Sequence, residues 1–192
     1  SGFSANCAGK TASYSQVLRI KSSCPSGVIS PYAQEGRNKS GWKQKIPLTR
    51  LAKQIKLNRI TNVETFKDLA SQKVYATRFF DGIHSVDMPI TKLQDMLGHN
   101  QIKSNDFNVS IHGDKLSFIG FGEGLGVGIC LFSADKMADK SDDALKILSF
   151  FYPNVEFVKV KSLPLAPGKT PGHVDYLPGN NLSDGPRKIL HK

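Results

Sequence analysis

Phe107-Asn108-Val109-Ser110-Ile111-His112, then Gly113-Asp114, then Lys115-Leu116-Ser117-Phe118-Ile119 is the stretch on which the fold turns. Apolar and polar residues alternate on both sides of a Gly-Asp break, which predicts a β-hairpin with one buried and one wet face. The hairpin leads into Gly120-Phe121-Gly122-Glu123-Gly124-Leu125-Gly126-Val127-Gly128-Ile129-Cys130, where every second residue as far as Gly128 is glycine. Such density requires backbone to pass very close to something. Tight packing of a turn beneath a neighbouring element meets that requirement, because glycine is the default where a Cβ has no room or φ is positive. A phosphate cradle does not, since no register gives G-x-G-x-x-G and no G-K-[ST] ending follows.

Working outward, Leu48, Leu51, Ala52 and Ile55 recur at helical spacing after Pro47 and predict a short helix. Val63, Thr65 and Phe66, then Val74, Tyr75, Thr77 and Phe79, suit two antiparallel strands within 61–80 joined by a turn at 68–72. Pro89 with Thr91-Lys92-Leu93-Gln94 reads as a capping box opening a helix that Gly98 stops, with Leu93, Met96 and Leu97 on its apolar face. Residues 134–140 and 144–152 read as two more helices, and 155–160 as a closing strand. Residues 1–40 read as loop-rich, with one strand or short helix near Tyr14 to Ile20. Together these predict an α+β domain over residues 1–160 built on an antiparallel sheet. Residues 161–192 carry Pro164, Pro167, Pro171, Pro178 and Pro186 with little apolar periodicity, and read as an extended or disordered basic tail.

A chain of 192 residues with 39% hydrophobic content is long enough for one domain with a real core. No apolar run reaches the roughly 18 residues a membrane span needs, and Ser1-Gly2-Phe3-Ser4 is not a signal peptide. The missing initiator Met and the motif-like start lead us to expect a mature or truncated fragment. A net charge of +10 favours an anionic polymer as partner. Nucleic acid is the weaker choice, because no zinc-finger spacing, recognition-helix pattern or aromatic RNA-binding strand motif is present. Cys7, Cys24 and Cys130 are too few for a disulfide framework, although the spacing allows one Cys7 to Cys24 bridge in an oxidising compartment.

The run from Gly120 to Ala138 resembles a hallmark of the stage II sporulation protein D (SpoIID) and amidase-enhancer family, usually written G-x-G-x-G-H-G-V-G-x-x-Q-x-G-A-x-x-M-A. Gly120, Gly122, Gly124, Gly126, Val127, Gly128, Ala134, Met137 and Ala138 fit it. Ala144-Leu145-Lys146-Ile147-Leu148 and Phe151-Tyr152-Pro153 resemble the family's I-L-x-x-Y-Y-P ending. Phe3-Ser4-Ala5-Asn6-Cys7-Ala8-Gly9-Lys10-Thr11 resembles its F-H-S-x-C-G-G-x-T segment, and Pro31-Tyr32 and Trp42 its later P-Y and W positions. The resemblance implies a bacterial cell-envelope protein, periplasmic or extracytoplasmic and membrane-anchored through upstream residues. It implies a lytic transglycosylase acting on peptide-stripped peptidoglycan glycan strands, or a non-catalytic glycan-binding module that enhances a cell-wall amidase or works with other envelope or divisome proteins.

Departures from the pattern remove polar chemistry: Ser4 stands where the family commonly has His, Ala8 at a glycine, Leu125 at the hallmark His and Leu131 at the Gln. The family's acid/base Glu lies upstream of the segment matching Phe3, leaving Glu123, the only carboxylate in the glycine run, as a substitute acid or a solvent-facing turn residue. The glycines Gly122, Gly124, Gly126 and Gly128, with Tyr32, Arg37 and Trp42, are the candidate substrate-binding residues. Tyr32, Arg37, Lys39, Trp42, Lys43 and Lys45 suit a glycan groove, aromatic faces stacking on sugars and cations pairing with carboxylates or phosphates; a basic loop anchored by one Trp is the alternative. Zinc binding by some relatives makes Cys7 and Cys24 candidate ligands, against a disulfide or two inert thiols, since two thiolates leave a tetrahedral site incomplete. Cys130 reads as a small core residue, and His84, His99 and His112 as surface or satisfied histidines.

Overall fold

A computed structural model describes residues 3–21 and 27–157. The chain divides into two compact units, Ser1–Val155 and Glu156–Lys192, and only Glu156 and Phe157 of the second are among the described residues. The first unit is α+β. In chain order its elements are β1 (Phe3–Ser4), α1 (Tyr14–Leu18), α2 (Ala33–Lys39), β2 (Gly41–Pro47), α3 (Leu48–Ile55), β3 (Asn62–Lys67), β4 (Val74–Phe80), β5 (Ser85–Pro89), α4 (Ile90–Leu97), β6 (Asp106–His112), β7 (Lys115–Phe121), β8 (Ile129–Cys130), α5 (Leu131–Ala138) and α6 (Ala144–Phe151). Two three-stranded antiparallel sheets, β2-β7-β6 and β3-β4-β5, carry the core, and β1 pairs with β8 in parallel.

The Gly113-Asp114 break closes the hairpin as its chemistry requires, with His112 opposite Lys115 and Gly113 at φ 59°. Alternation then puts Phe107, Leu116, Phe118 and Gly120 on the buried face. The central strand β7 pairs on its other side with β2, which the sequence reading left inside a loop. Trp42 and Ile46 of β2 are buried while Gly41, Lys43, Lys45 and Pro47 are exposed, a period of two that its density of lysines masks. In the second sheet the two strands of 61–80 are present, and Ser85–Pro89 adds a third that was not foreseen.

Helix α3 spans the residues its periodicity indicates and buries Leu51, Ala52 and Ile55. The capping box at Thr91 is not formed: α4 begins at Ile90 directly from strand β5, Pro89 holds the cap position, and no side chain caps it. Gly98 does end that helix, its N–H donating to the Gln94 carbonyl. Helix α5 starts at Leu131, three residues before the expected Ala134, because β8 feeds straight into it. Residues 155–157 form no strand, and the rest of the expected closing strand, like the tail, lies outside the described residues.

Two apolar clusters result. The larger joins both sheets to α3 and α4 through Trp42, Ile46, Leu51, Phe79, Leu93 and Phe118. The smaller gathers Cys7, Cys130, Met137, Ile147 and Phe151 under α5 and α6. Helix α6 is held at its start by Asp143, whose carboxylate accepts the Lys146 N–H at 2.7 Å. Asp143→Ala should cost about 1 kcal/mol, the usual worth of an N-cap. Thermal unfolding would register this as a drop in Tm of about 2–4 °C, and an unchanged Tm would mean the cap carries no stability.

Candidate functional site

The glycine run makes its close approach to the chain itself. A Cβ on Gly120 would lie 2.4 Å from the Trp42 ring, and one on Gly122 would lie 2.6 Å from the Asn6 carbonyl oxygen. Gly122 has φ 86° and donates its N–H to the Ser40 carbonyl and hydroxyl, both at 3.0 Å. Glu123 and Asn6 exchange backbone hydrogen bonds at 2.8 and 3.2 Å. Gly124 passes the Ser4 Cα, and Gly126 receives the Ser4 hydroxyl on its N–H at 2.8 Å. Gly128 brings the chain into β8, where Phe3 pairs with Ile129 and Ser4 with Cys130. The room at Gly122 and Gly124 is thus occupied by the segment 4–8, and that at Gly126 by Asn105 and Lys73, so these glycines serve close packing of the chain on itself. Ser4 is buried and bridges the N-terminal segment to the glycine run.

Trp42 is a core residue. It is 7% exposed, its indole N–H donates to the Ser104 hydroxyl at 3.1 Å, and its ring packs on Phe107 and over Gly120. Buried in this way, the ring packs inside the core rather than standing on the sheet's outward face. Tyr32 is half-buried against the smaller cluster, donates to the Lys136 carbonyl at 3.3 Å, and has the Lys140 ammonium 5.3 Å over its ring. Glu123 is exposed, and its carboxylate makes no hydrogen bond or ion pair among the described residues.

Arg37 remains partly open. Its guanidinium lies 3.9 Å over the Phe121 ring and donates to Asp106 Oδ2 at 2.8 Å, with 40% of the side chain exposed. The same oxygen accepts from Lys73 Nζ at 2.9 Å, and Lys73, only 2% exposed, also donates to the Cys7 carbonyl at 2.6 Å. Lys73 escaped the sequence reading because it sits in a polar turn segment with nothing to announce burial.

From Arg37 the outward face of β2-β7-β6 runs on as a basic surface. Lys43 stands level with Ile119 and Asn108, and Lys45 with Ser117 and Ser110. Lys67 reaches in from β3 to Asn108 at 3.2 Å. Asp106 is the only carboxylate in these three strands and is already held by Arg37 and Lys73, so Lys43, Lys45 and Lys115 have no ion pair among the described residues.

A second concavity, a pocket of about 290 Å³, opens on the other three-stranded sheet between Arg19, Phe66, Tyr75, Arg78 and Asp87. Phe66 and Tyr75 stack with centroids 6.2 Å apart. Arg78 grips Asp87 through two bonds of 2.6 and 2.7 Å, which holds that carboxylate below the usual range. In sequence Phe66 and Tyr75 read only as strand formers and the other three carry no signal, although aromatics on neighbouring strands of a half-buried sheet are a recurrent platform.

Cys24 lies outside the described residues, so its distance from Cys7 is not described. Cys7 meets Cys130 instead, both as free thiols. For zinc, two sulfurs without a third donor make a poor site, and no group of three or more His, Cys, Asp or Glu is placed to hold a metal among the described residues. His84 contacts Asp81 at 3.4 Å and His99 contacts Asp95 at 3.4 Å, both at the surface. Among the described residues no helix is long and apolar enough to cross a membrane. A scan of the chain against protein-family models finds no match, and neither does a search of the curated proteins.

Proposed function

We propose that this chain is a glycan-strand-binding module of the bacterial cell envelope, similar to the SpoIID and amidase-enhancer proteins, working in peptidoglycan processing on strands already cleared of stem peptides. One observation carries the reading. The segments that bear the resemblance are scattered over residues 3–153, yet several of them fold against one another: Phe3 and Ser4 on Ile129 and Cys130, Asn6 on Glu123, Trp42 on Gly120, and Tyr32 on Lys136. Their packing against one another supports reading these segments as one unit. The glycan would lie along the basic sheet face, its muramic carboxylates meeting Arg37, Lys43 and Lys45 while Phe121 and Ile119 offer apolar contact to sugar rings. Glu123, exposed and without a partner to position it among the described residues, favours binding over catalysis within this chain.

The test is co-sedimentation with purified, peptide-stripped glycan strands, with intact sacculi in parallel. Retention should be stronger on stripped strands and should fall as salt is raised, because exposed cation pairing is screened. Lys43→Ser with Lys45→Ser should weaken binding about 3- to 10-fold, given that exposed charge pairs are each worth up to about 1 kcal/mol. Equal retention on intact sacculi, or indifference to both substitutions, would remove the proposal. Abundant 1,6-anhydromuramic ends made by the chain alone, and lost in Glu123→Gln, would instead establish the catalytic reading.

A further inference from the structure

Cys7 and Cys130 are 123 positions apart and free, 2% and 0% exposed, and the glycan reading makes no use of their sulfurs. The parallel pairing of β1 with β8 sets Ser4 beside Cys130, and the next few residues turn so that the Cys7 N–H points at the Cys130 sulfur from 3.2 Å. The Ser133 hydroxyl, on the first turn of α5, donates to that sulfur from 3.5 Å, and the Cys7 side chain packs in the same buried cluster. Two donors therefore converge on one sulfur. This is how a thiolate is stabilised, and it makes the two cysteines unequal partners.

We propose that Cys7 and Cys130 are a redox-active dithiol, Cys130 the attacking sulfur and Cys7 the resolving one, which closes to a disulfide by exchange with a protein or small-molecule disulfide. The acidities agree with that division. The neighbouring Cys7 side chain is the main cause that lowers Cys130 below the ordinary thiol range, and the same neighbour relation, with burial, raises Cys7 above it. Lys73, bonded to the Cys7 carbonyl, adds positive charge nearby. In the first step the Cys130 thiolate attacks one sulfur of the oxidant, breaking its S–S bond and releasing one thiolate. The negative charge that held the proton on Cys7 is then gone. Cys7 gives its proton to solvent or to the departing thiolate, and its sulfur attacks that of Cys130, releasing the second thiolate. Two cysteine thiols are oxidised, and one disulfide is reduced to two thiols. The product bond would tie the segment 4–8 covalently to the end of the glycine run.

The experiment uses the full chain carrying Cys24→Ser, which removes the remaining cysteine and leaves the pair intact. It is incubated with oxidised glutathione a few degrees below its melting temperature, so that β1 lifts often enough for the buried sulfurs to react. Intact mass should fall by two hydrogens, peptide mapping should join Cys7 to Cys130, and Tm should rise by about 5–15 °C over the reduced form, since the bridge closes a loop of more than a hundred residues. A chain that keeps both thiols, or that halts as a stable glutathione adduct, would overturn the proposal. So would a Cys7 to Cys24 bridge as the main product of the unsubstituted chain.

Discussion

Asp106→Ala should destabilise the protein by about 3–5 kcal/mol, the cost of stripping a buried charge of its partner. One oxygen of Asp106 receives both Arg37 at 2.8 Å and Lys73 at 2.9 Å. The two cations differ in what they can do once it is gone. Arg37 is 40% exposed and can turn its guanidinium to water, whereas Lys73 is 2% exposed and keeps only the Cys7 carbonyl. Its ammonium would then be buried without a counter-ion. Arg37→Ala, by contrast, should cost no more than about 1 kcal/mol, as for other exposed pairs. Adding Lys73→Met to Asp106→Ala should recover much of the loss, because removing both ends of a buried pair is far cheaper than removing one. Urea unfolding of the wild type, Asp106→Ala, Lys73→Met and the double variant gives the cycle. A loss below about 1 kcal/mol for Asp106→Ala, with no recovery from Lys73→Met, would mean that water already solvates the lysine.

Lys73 also marks the limit of what the sequence makes legible. Period and punctuation announce elements that stand largely by themselves: Leu48, Leu51, Ala52 and Ile55 form a helical stripe, and Gly113-Asp114 closes a hairpin between alternating strands. They fail where tertiary contacts decide. Strand β2 is patterned as Trp42-Lys43-Gln44-Lys45-Ile46, but its lysines are the charges an edge strand carries against unwanted pairing, and they read as a loop. Helix α2 has a glycine in its middle and almost no apolar face; Gly36 is there because a Cβ would come within 3.2 Å of the Phe132 ring. Strands β1 and β8 are two residues each, too short for any period, yet they bring Cys7 to Cys130. The candidate site divides in the same way. The glycine run was visible as a place of close approach, but the object approached, residues 4–8, is more than a hundred positions away in the chain. Trp42 looked like a sugar platform because nothing local shows that Phe107 and Gly120 close over it.

Gly122→Ala should cost about 2–5 kcal/mol, combining a left-handed backbone that disfavours a side chain with overpacking against main chain. At φ 86° an alanine is strained wherever it sits, and here its Cβ would also stand 2.6 Å from the Asn6 carbonyl oxygen. That oxygen accepts the Glu123 N–H at 2.8 Å, so it cannot retreat without breaking the bridge that holds the segment 4–8 to the glycine run. Gly113→Ala separates the two contributions. Gly113 has φ 59° and nothing within 4 Å of its would-be Cβ, so alanine there meets only the backbone strain, about 1–2 kcal/mol. The excess at Gly122 is the energy of the close approach itself. Because the strained contact lies between segment 4–8 and the run that continues into Cys130, Gly122→Ala should also speed native-state alkylation of Cys7 and Cys130 in a Cys24→Ser background, while Gly113→Ala should leave that rate unchanged. Equal losses of stability in the two variants, with equal alkylation rates, would show that the docking of residues 4–8 contributes little and that the glycine at 122 serves the turn alone.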